Sequence, residues 1–506
     1  MTHYRIIATA GHVDHGKSSL VKVLTSHATD RLPEEQKRGI TIDLGFAHMS
    51  LPDPDHDSEW SVGLIDVPGH ENFVKNMVAG VGAIDLALLV TAADDCWMPQ
   101  TEEHLQILEY LGVRHGLIAL TKVDLVTQDD LELIIELIRD ETAGTFLENA
   151  PIIPTSIKDG QGTDHLSRAI LDALRETPDP RNIGKARLSV DRAFSMKGIG
   201  TVVTGSLTDG ILKRDDPVLL LPSAMKSRVR SLQHYSQETE SCSPGTRSAL
   251  NLAHADLSSH AKGDSAGIRR GTVITSIEAA EPTRNIHIHL WRSSRLEKGE
   301  YQIQRPLRHN SVVRFHSGGG NIPGRIGLLG LRQLGPGGEC LAQIHLERPV
   351  HVMAGDRFII RDWPEQSTLA GGTVLDAHPG SRRLSSPQQK RMLESRQGKA
   401  TDPEVFIRTL VERDHHADIG TLQATAPFSS DQQEQAISTL EVTGAILRRG
   451  TRIVSRQWWK HFVDSASKMI LEEHSNRPER IGLRTNSVMA RMNREGLPAD
   501  FQPMLR

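Results

Sequence analysis

The chain has 506 residues, 38% of them hydrophobic and 24% charged, and a formal net charge of −4. A chain of this length holds about three to five domains, and its near-balanced charge excludes a uniformly basic nucleic-acid binder, so any RNA contact must come from a local patch. Cys96, Cys242 and Cys340 lie far apart without metal-ligand spacing, and no apolar run approaches the ~18 residues of a membrane span. These features predict a soluble cytoplasmic protein with no disulfide framework and no membrane contact.

Residues 1–178 alternate apolar strand-like runs with helical patterns: Ile6-Ile7-Ala8, Val62 to Ile65, Leu86 to Val90, Leu117 to Leu120 and Ile152 to Pro154. That alternation predicts an α/β domain with a mainly parallel sheet, whose ligands lie at the carboxyl ends of the strands. Directly after the first run stands Gly11-His12-Val13-Asp14-His15-Gly16-Lys17-Ser18, which fits the phosphate-binding pattern G-x-x-x-x-G-K-[ST]. The backbone through Ser19 would cradle phosphates, Lys17 would reach the β and γ phosphates, and the Ser18 hydroxyl would ligate Mg²⁺. Arg38-Gly39-Ile40-Thr41 lies where a second hydroxyl ligand, Thr41, is needed. Asp66-Val67-Pro68-Gly69-His70 follows a strand, so Asp66 can hold Mg²⁺ through water and Gly69 can offer its N–H to a γ-phosphate. Thr121-Lys122-Val123-Asp124 also follows a strand. A carboxylate there accepts from N1–H and N2–H₂ of guanine, donors that adenine lacks, so GTP with Mg²⁺ is the expected ligand.

After the linker-like Thr177-Pro178-Asp179-Pro180, short alternating segments divided by Gly, Pro and Asp replace the helices. They predict all-β structure over 185–280 and 283–378. A breaker-rich stretch, 379–400, reads as a linker. Residues 401–462 read as three helices and a hairpin, a winged helix carrying Arg448, Arg449 and Arg452 on or near its wing. That wing serves either as an RNA contact or as part of a structural spacer. Residues 463–506 read as an incomplete second unit, unable to close a core and therefore loosely packed.

The motifs Gly-His-Val-Asp-His-Gly-Lys, Arg-Gly-Ile-Thr and Asp-Val-Pro-Gly-His resemble those of the translational GTPases, the elongation factor Tu class. The stretch from Asp30 to Ala47 and the pair Thr121-Lys122 are similar to the selenocysteine-specific elongation factor (SelB) family. So are Asp191 to Phe194, Lys197 to Gly205, Gly355 to Arg361 and Gly371 to Asp376. The resemblance implies that both all-β stretches are barrels. It also implies a ribosome-stimulated GTPase that delivers selenocysteyl-tRNA at recoded UGA codons and acts as a monomer. The alternative reading is a GTPase of the same architecture that has lost messenger-hairpin binding and serves another charged tRNA.

By that resemblance His70 orients the attacking water behind an apolar gate of Val13 and Ile40, and Asp14 can hold a monovalent cation. Lys122 and Ser156 help Asp124 at the base. Thr121 lacks the amide that braces the phosphate loop in most members, which predicts modest nucleotide affinity. Asp191, Arg192 and Arg247 match the aminoacyl pocket. A selenolate is anionic at neutral pH, so either guanidinium can receive it; otherwise the arginines are ion-pair partners within the barrel. The further winged helices that contact the messenger hairpin in relatives have no counterpart here, so weakened or lost hairpin binding is expected.

Overall fold

A computed structural model describes residues 2–27, 44–68, 84–235, 237–253, 267–297, 306–479, 483–495 and 497. The chain divides into two compact units, Met1–Leu384 and Ser385–Arg506.

The first unit opens with a six-stranded sheet. Its strands are β1 (Thr2–Ala10), β2 (Gly45–Asp53), β3 (Ser58–Asp66), β4 (Leu86–Ala92), β5 (Gly116–Thr121) and β6 (Ile152–Pro154), in the order β2-β3-β1-β4-β5-β6. β2 runs antiparallel to β3, and the other pairs are parallel. All seven residues of β4 are buried, because both faces of the sheet are covered. Successive side chains go to opposite faces. Ile6, Ile65, Leu89 and Ile118 thus join one core with Leu105 and Ile134, while Ile7, Val62, Leu88 and Val90 join the other with Leu20 and Ile170. The covering helices are α1 (Lys17–Thr25), α2 (Pro99–Leu111), α3 (Gln128–Thr142) and α4 (Thr163–Arg175). α3 starts at a capping box in which Thr127 and Asp130 satisfy each other's backbone N–H. α4 buries Leu166, Ile170 and Leu174 at helical spacing.

Two closed barrels follow. In the first, Pro217–Leu221 pairs with both Met225–His234 and Val273–Thr275, closing a ring with Arg187–Met196, Gly200–Thr208 and Thr246–Ala253. Leu188, Val203, Leu220, Val229, Leu250 and Ile274 fill it. The second runs Thr283–Trp291, Glu339–Val350, Gly320–Leu328, Ser311–Ser317, Arg357–Arg361 and Thr368–Asp376, and the last strand pairs back to the first. Closure joins the first and last strands of each ring, and the short strand Gln237–Thr239 pairs with Met225–His234 at the side of the first. Barrel interiors hold aliphatic side chains around few aromatics, Phe315 and Phe358 being stacked in the second.

In the second unit, α5 (Pro387–Arg396) precedes α6 (Pro403–Asp414), α7 (Ile419–Thr425) and α8 (Ser430–Val442). Strands His416–Asp418, Ile446–Arg449 and Arg452–Ser455 form an antiparallel sheet with Arg452–Ser455 in the centre, an arrangement consistent with the expected winged helix. Then come α9 (Arg456–Asn476) and α10 (Thr485–Arg494).

Three sequence expectations need correction here. The 379–400 stretch is not simply a linker. α5 lies within it, with Met392, Leu393 and Arg396 buried, and the Arg396 Nε donates to Thr409 Oγ1 at 3.0 Å. Pro387, read as a breaker, occupies the first turn, where its missing N–H costs nothing. The expected boundary at 462/463 falls inside the 21-residue α9. The tail also closes a small core: Trp459 and Phe462 of α9 pack with Val488 and Met492 of α10, Leu497 and hairpin residue Val454. Hairpin residues Val454 and Leu447 supply one side of that core.

Candidate functional site

β1 delivers the chain into Gly11, whose φ is +133° and whose added Cβ would lie 2.0 Å from the Val90 carbonyl oxygen, so only glycine fits. Asp14 and Gly16 take left-handed conformations, and α1 begins at Lys17 with Leu20 N donating to Gly16 O at 2.8 Å. The result is a loop feeding a helix N-terminus, whose unpaired N–H groups and dipole favour an anion. Lys17 folds back over this loop. Its Nζ donates to the carbonyls of Gly11 at 3.0 Å and His12 at 2.6 Å. Burial lowers its pKa to about 8, against the attraction of Asp66 and Asp14.

His12 and Val13 are half-buried, Asp14 is exposed, and Ser18 and Ser19 stand on the first turn of α1. His15 is buried, with Nδ1 3.4 Å from Val90 O and a pKa lowered to about 3, chiefly by burial. Its ring is therefore a neutral wedge behind the loop, and its carbonyl faces the next strand.

Asp66 ends β3, fully buried, and accepts from Thr9 Oγ1 at 3.1 Å, while the same hydroxyl accepts from Val67 N at 3.1 Å. Thr121 ends β5, also fully buried, and its Oγ1 donates to His15 O at 2.7 Å. Thr121 thus braces the phosphate loop through its hydroxyl although it lacks the amide found in most family members. Lys122 takes a left-handed φ of 58° and pairs with Asp94 at 2.9 Å. Asp124 accepts from Ser156 Oγ at 2.8 Å, and Lys158 stands 3.9 Å away. The structure thus brings the loop, Asp66, Thr121, Lys122, Asp124 and Ser156 to the carboxyl ends of β1, β3, β5 and β6. Ile40, Thr41, Gly69 and His70 lie outside the described residues.

Sequence reading missed two loop partners on α2. Gly11 N donates to His104 Nδ1 at 2.9 Å, and Val13 N donates to Gln100 Oε1 at 3.1 Å. Their i, i+4 spacing was visible, but nothing in the sequence says which loop that helix face meets.

The first barrel carries the second cluster. Arg247 Nε and Nη2 donate to the two Asp191 oxygens at 3.1 and 2.9 Å, and Nη2 also donates to Thr204 Oγ1 at 2.9 Å. Its guanidinium carbon sits 3.5 Å from the Phe46 ring centroid, a cation–π contact. Burial lowers the Arg247 pKa, and the Asp191 carboxylate opposes it. Arg192 Nη2 donates to Leu44 O at 2.6 Å, and its guanidinium carbon is 5.2 Å from the same ring. These arginines, with Phe46, His48, Phe194 and Tyr235, line a cavity of about 530 Å³ between β2, β3 and the barrel. Phe46 and Thr204 were not foreseen as part of this pocket.

Residues 2–176 match the model of the elongation factor Tu GTP binding domain. Residues 295–381 match the selenocysteine-specific elongation factor β-barrel domain. The selenocysteine-specific elongation factor of Desulfomicrobium baculatum is 40% identical over 405 residues, 80% of this chain and 60% of that protein. The crystal structure of a bacterial selenocysteine-specific elongation factor, EF-Sec, superposes with a TM-score of 0.75 at 28% identity, covering 94% of this chain and 73% of that one. Elongation factor 1-alpha of Methanothermobacter thermautotrophicus is 31% identical, over 52% of this chain and 70% of that protein.

The chain belongs to the selenocysteine-specific elongation factor family of translational GTPases. It spans about 60% of the length of the D. baculatum family member. The matched GTP-binding domain contains the whole phosphate-loop cluster, from Gly11 to Ser156. The Arg247 cluster lies between the two matched regions, in a barrel that the structure itself supplies.

Proposed function

We propose that this chain binds GTP with Mg²⁺, hydrolyses it on the ribosome and delivers selenocysteyl-tRNA at recoded UGA codons. The observation that carries the reading is the convergence of the Gly11–Ser18 loop, Asp66 and the Thr121-Lys122-Val123-Asp124 turn at one end of the parallel sheet. In this reading the loop backbone from Gly11 to Ser19 and Lys17 hold the phosphates, and Gly69 approaches the γ-phosphate. Asp124, held by Ser156, accepts from guanine, and Lys122 helps at the base.

Ser18 and Asp66 fit Mg²⁺ because a hydroxyl and a carboxylate are hard oxygen donors, with Thr41 completing the set. Asp66 is fixed by Thr9, so a ligand sphere there is pre-oriented. Mg²⁺ held there would supply positive charge against the phosphates. His70 orients the attacking water, with Val13 and Ile40 as its gate. Asp191, Arg192 and Arg247 form the aminoacyl pocket, where cationic donors favour a selenolate over a neutral hydroxyl. The ribosome as partner implies a cytoplasmic site of action; among the described residues no helix is long and apolar enough to cross a membrane.

The test is nucleotide selectivity. The wild type should bind GTP and GDP and reject ATP. Asp124→Asn should move preference toward xanthosine nucleotides, whose changed donor pattern suits an amide. Equal affinity of the wild type for GTP and ATP would sink the guanine assignment.

A further inference from the structure

Helix α2 touches both the phosphate loop and the second barrel. On the loop side are Gln100 and His104, holding the N–H groups of Val13 and Gly11. On the barrel side Glu102 accepts both Arg295 Nε and Nη2, at 2.7 and 2.5 Å, in a pair buried on both members. Glu103 Oε1 accepts Arg361 Nη1 at 3.0 Å and Thr368 Oγ1 at 2.8 Å. Tyr110 Oη accepts Ser293 N at 2.8 Å, and its ring lies so close to Gly371 that a Cβ there would stand 2.4 Å away.

We propose that α2 is a two-sided clamp: His104 and Gln100 are positioning residues for the phosphate loop, and the seating of α2 on the second barrel sets how long a bound nucleotide is held. The proposal rests on the GTP-binding reading above and adds a control point remote from the nucleotide.

The physical argument begins at Gly11. Its N–H is buried against β4, and a buried donor without an acceptor carries a large desolvation penalty. His104 supplies that acceptor from a fully buried ring. Burial, Lys17 and Arg361 together hold its pKa well below the ordinary value, so the ring is neutral and its proton sits on Nε2. Arg361 is the same residue that ties Glu103 to the barrel. Glu103 and His104 are adjacent on one rigid helix of 13 residues. A shift of α2 that breaks the Glu103 or Glu102 pairs therefore moves Nδ1 away from Gly11 and Oε1 away from Val13. Buried pairs of this kind resist loss of one member strongly, so the barrel holds the helix in register.

The experiment is release of fluorescent GDP from the full chain by stopped-flow chase. His104→Leu removes the acceptor and should speed release about tenfold, equivalent to about 1.4 kcal/mol. His104→Asn places a carbonyl near the Nδ1 position and should return release to within about threefold of wild type. Glu103→Gln and Thr368→Val alter only the barrel seam and should speed release about three- to tenfold; Glu103→Gln also lowers the thermal midpoint, because the fully buried Arg361 loses its counter-charge. Thr368→Val is close to isosteric and carries the test where Glu103→Gln fails to fold. Release within about twofold of wild type in a folded seam variant would overturn the coupling. Equal acceleration by His104→Leu and His104→Asn would reduce the histidine to packing and overturn the positioning role. A wild type that holds no guanine nucleotide is a separate result, which fells the GTP reading itself.

Discussion

At Lys17 the folded loop works against its own charge. Burial lowers this ammonium to about 8 from an ordinary 10.5. In the ligand-free chain the unfolded form therefore binds more protons across that window, and this group's contribution to stability rises with pH from about 8 to 10.5. Phosphates act in the opposite sense, because their negative charge raises the Lys17 pKa. Nucleotide binding should take up a proton near pH 8.5, and affinity should fall as pH climbs above about 8. Calorimetry in buffers of different ionisation enthalpy reads this directly; a heat independent of buffer would exclude Lys17 as the linked group. Arg247 poses a different balance. Arg247→Ala should weaken selenocysteyl-tRNA binding about ten- to hundredfold more than seryl-tRNA binding, the worth of a charge-assisted hydrogen bond. The same variant strands the buried Asp191. The double variant Arg247→Ala/Asp191→Asn removes that cost, and it should retain the discrimination loss while regaining stability. Equal losses for both tRNAs would make Arg247 an internal ion-pair partner only.

Among the elements, α9 shows how a helix too polar for a core becomes part of one. Of its 21 residues only Trp459 and Phe462 are buried, one turn apart near its N-terminus. They reach Val454, on the strand that runs straight into the helix, and Met492 on α10. Ser455 caps the junction by accepting from Trp458 N. Phe462→Ala should cost about 3–5 kcal/mol in this second unit, the usual range for a buried aromatic. Two-probe thermal unfolding checks it: the transition of the second unit should fall while GTP protection of the first is unchanged. A single transition that moves as a whole would show that the two cores do not unfold separately. α5 makes the related point about linkers, since its buried Arg396 lies 3.9 Å from the Phe406 ring centroid as well as bonding Thr409. A long cation inside a supposed linker has no sequence signature, because its partners are ten or more residues away.

For the molecule as a whole, the positive charge on the hairpin of the second unit is largely spoken for. Arg448 donates to Glu434 at 2.6 Å and stands 3.6 Å from Glu441, and Arg449 lies over Trp459 at 5.5 Å. Messenger-hairpin binding should therefore be weak and salt-sensitive, with a log–log slope near −3 if about three phosphates are neutralised. Glu434→Gln with Glu441→Gln should release Arg448 and tighten binding about threefold to tenfold at low salt. Tight, sequence-specific binding by the wild type would instead place a recognition surface on the wing.

The local sequence determined the phosphate loop, because the G-x-x-x-x-G-K-[ST] spacing and the strand before it are contained in eighteen consecutive residues, Met1 to Ser18. It likewise determined the places of Asp66 at the end of β3 and of Asp124 just beyond β5, and the alternating patterns of the all-β stretches. Local spacing could not show that Thr121 braces His15, that His104 holds Gly11, or that Phe46 covers Arg247. The contacts join residues 106, 93 and 201 positions apart, respectively, and their partners are backbone atoms or ring faces with no distinguishing side-chain pattern. Only the packing of β5 against the loop, of α2 beneath it and of β2 against the first barrel decided them, because a hydrogen bond or a cation–π contact depends on ångström-scale approach and not on order along the chain.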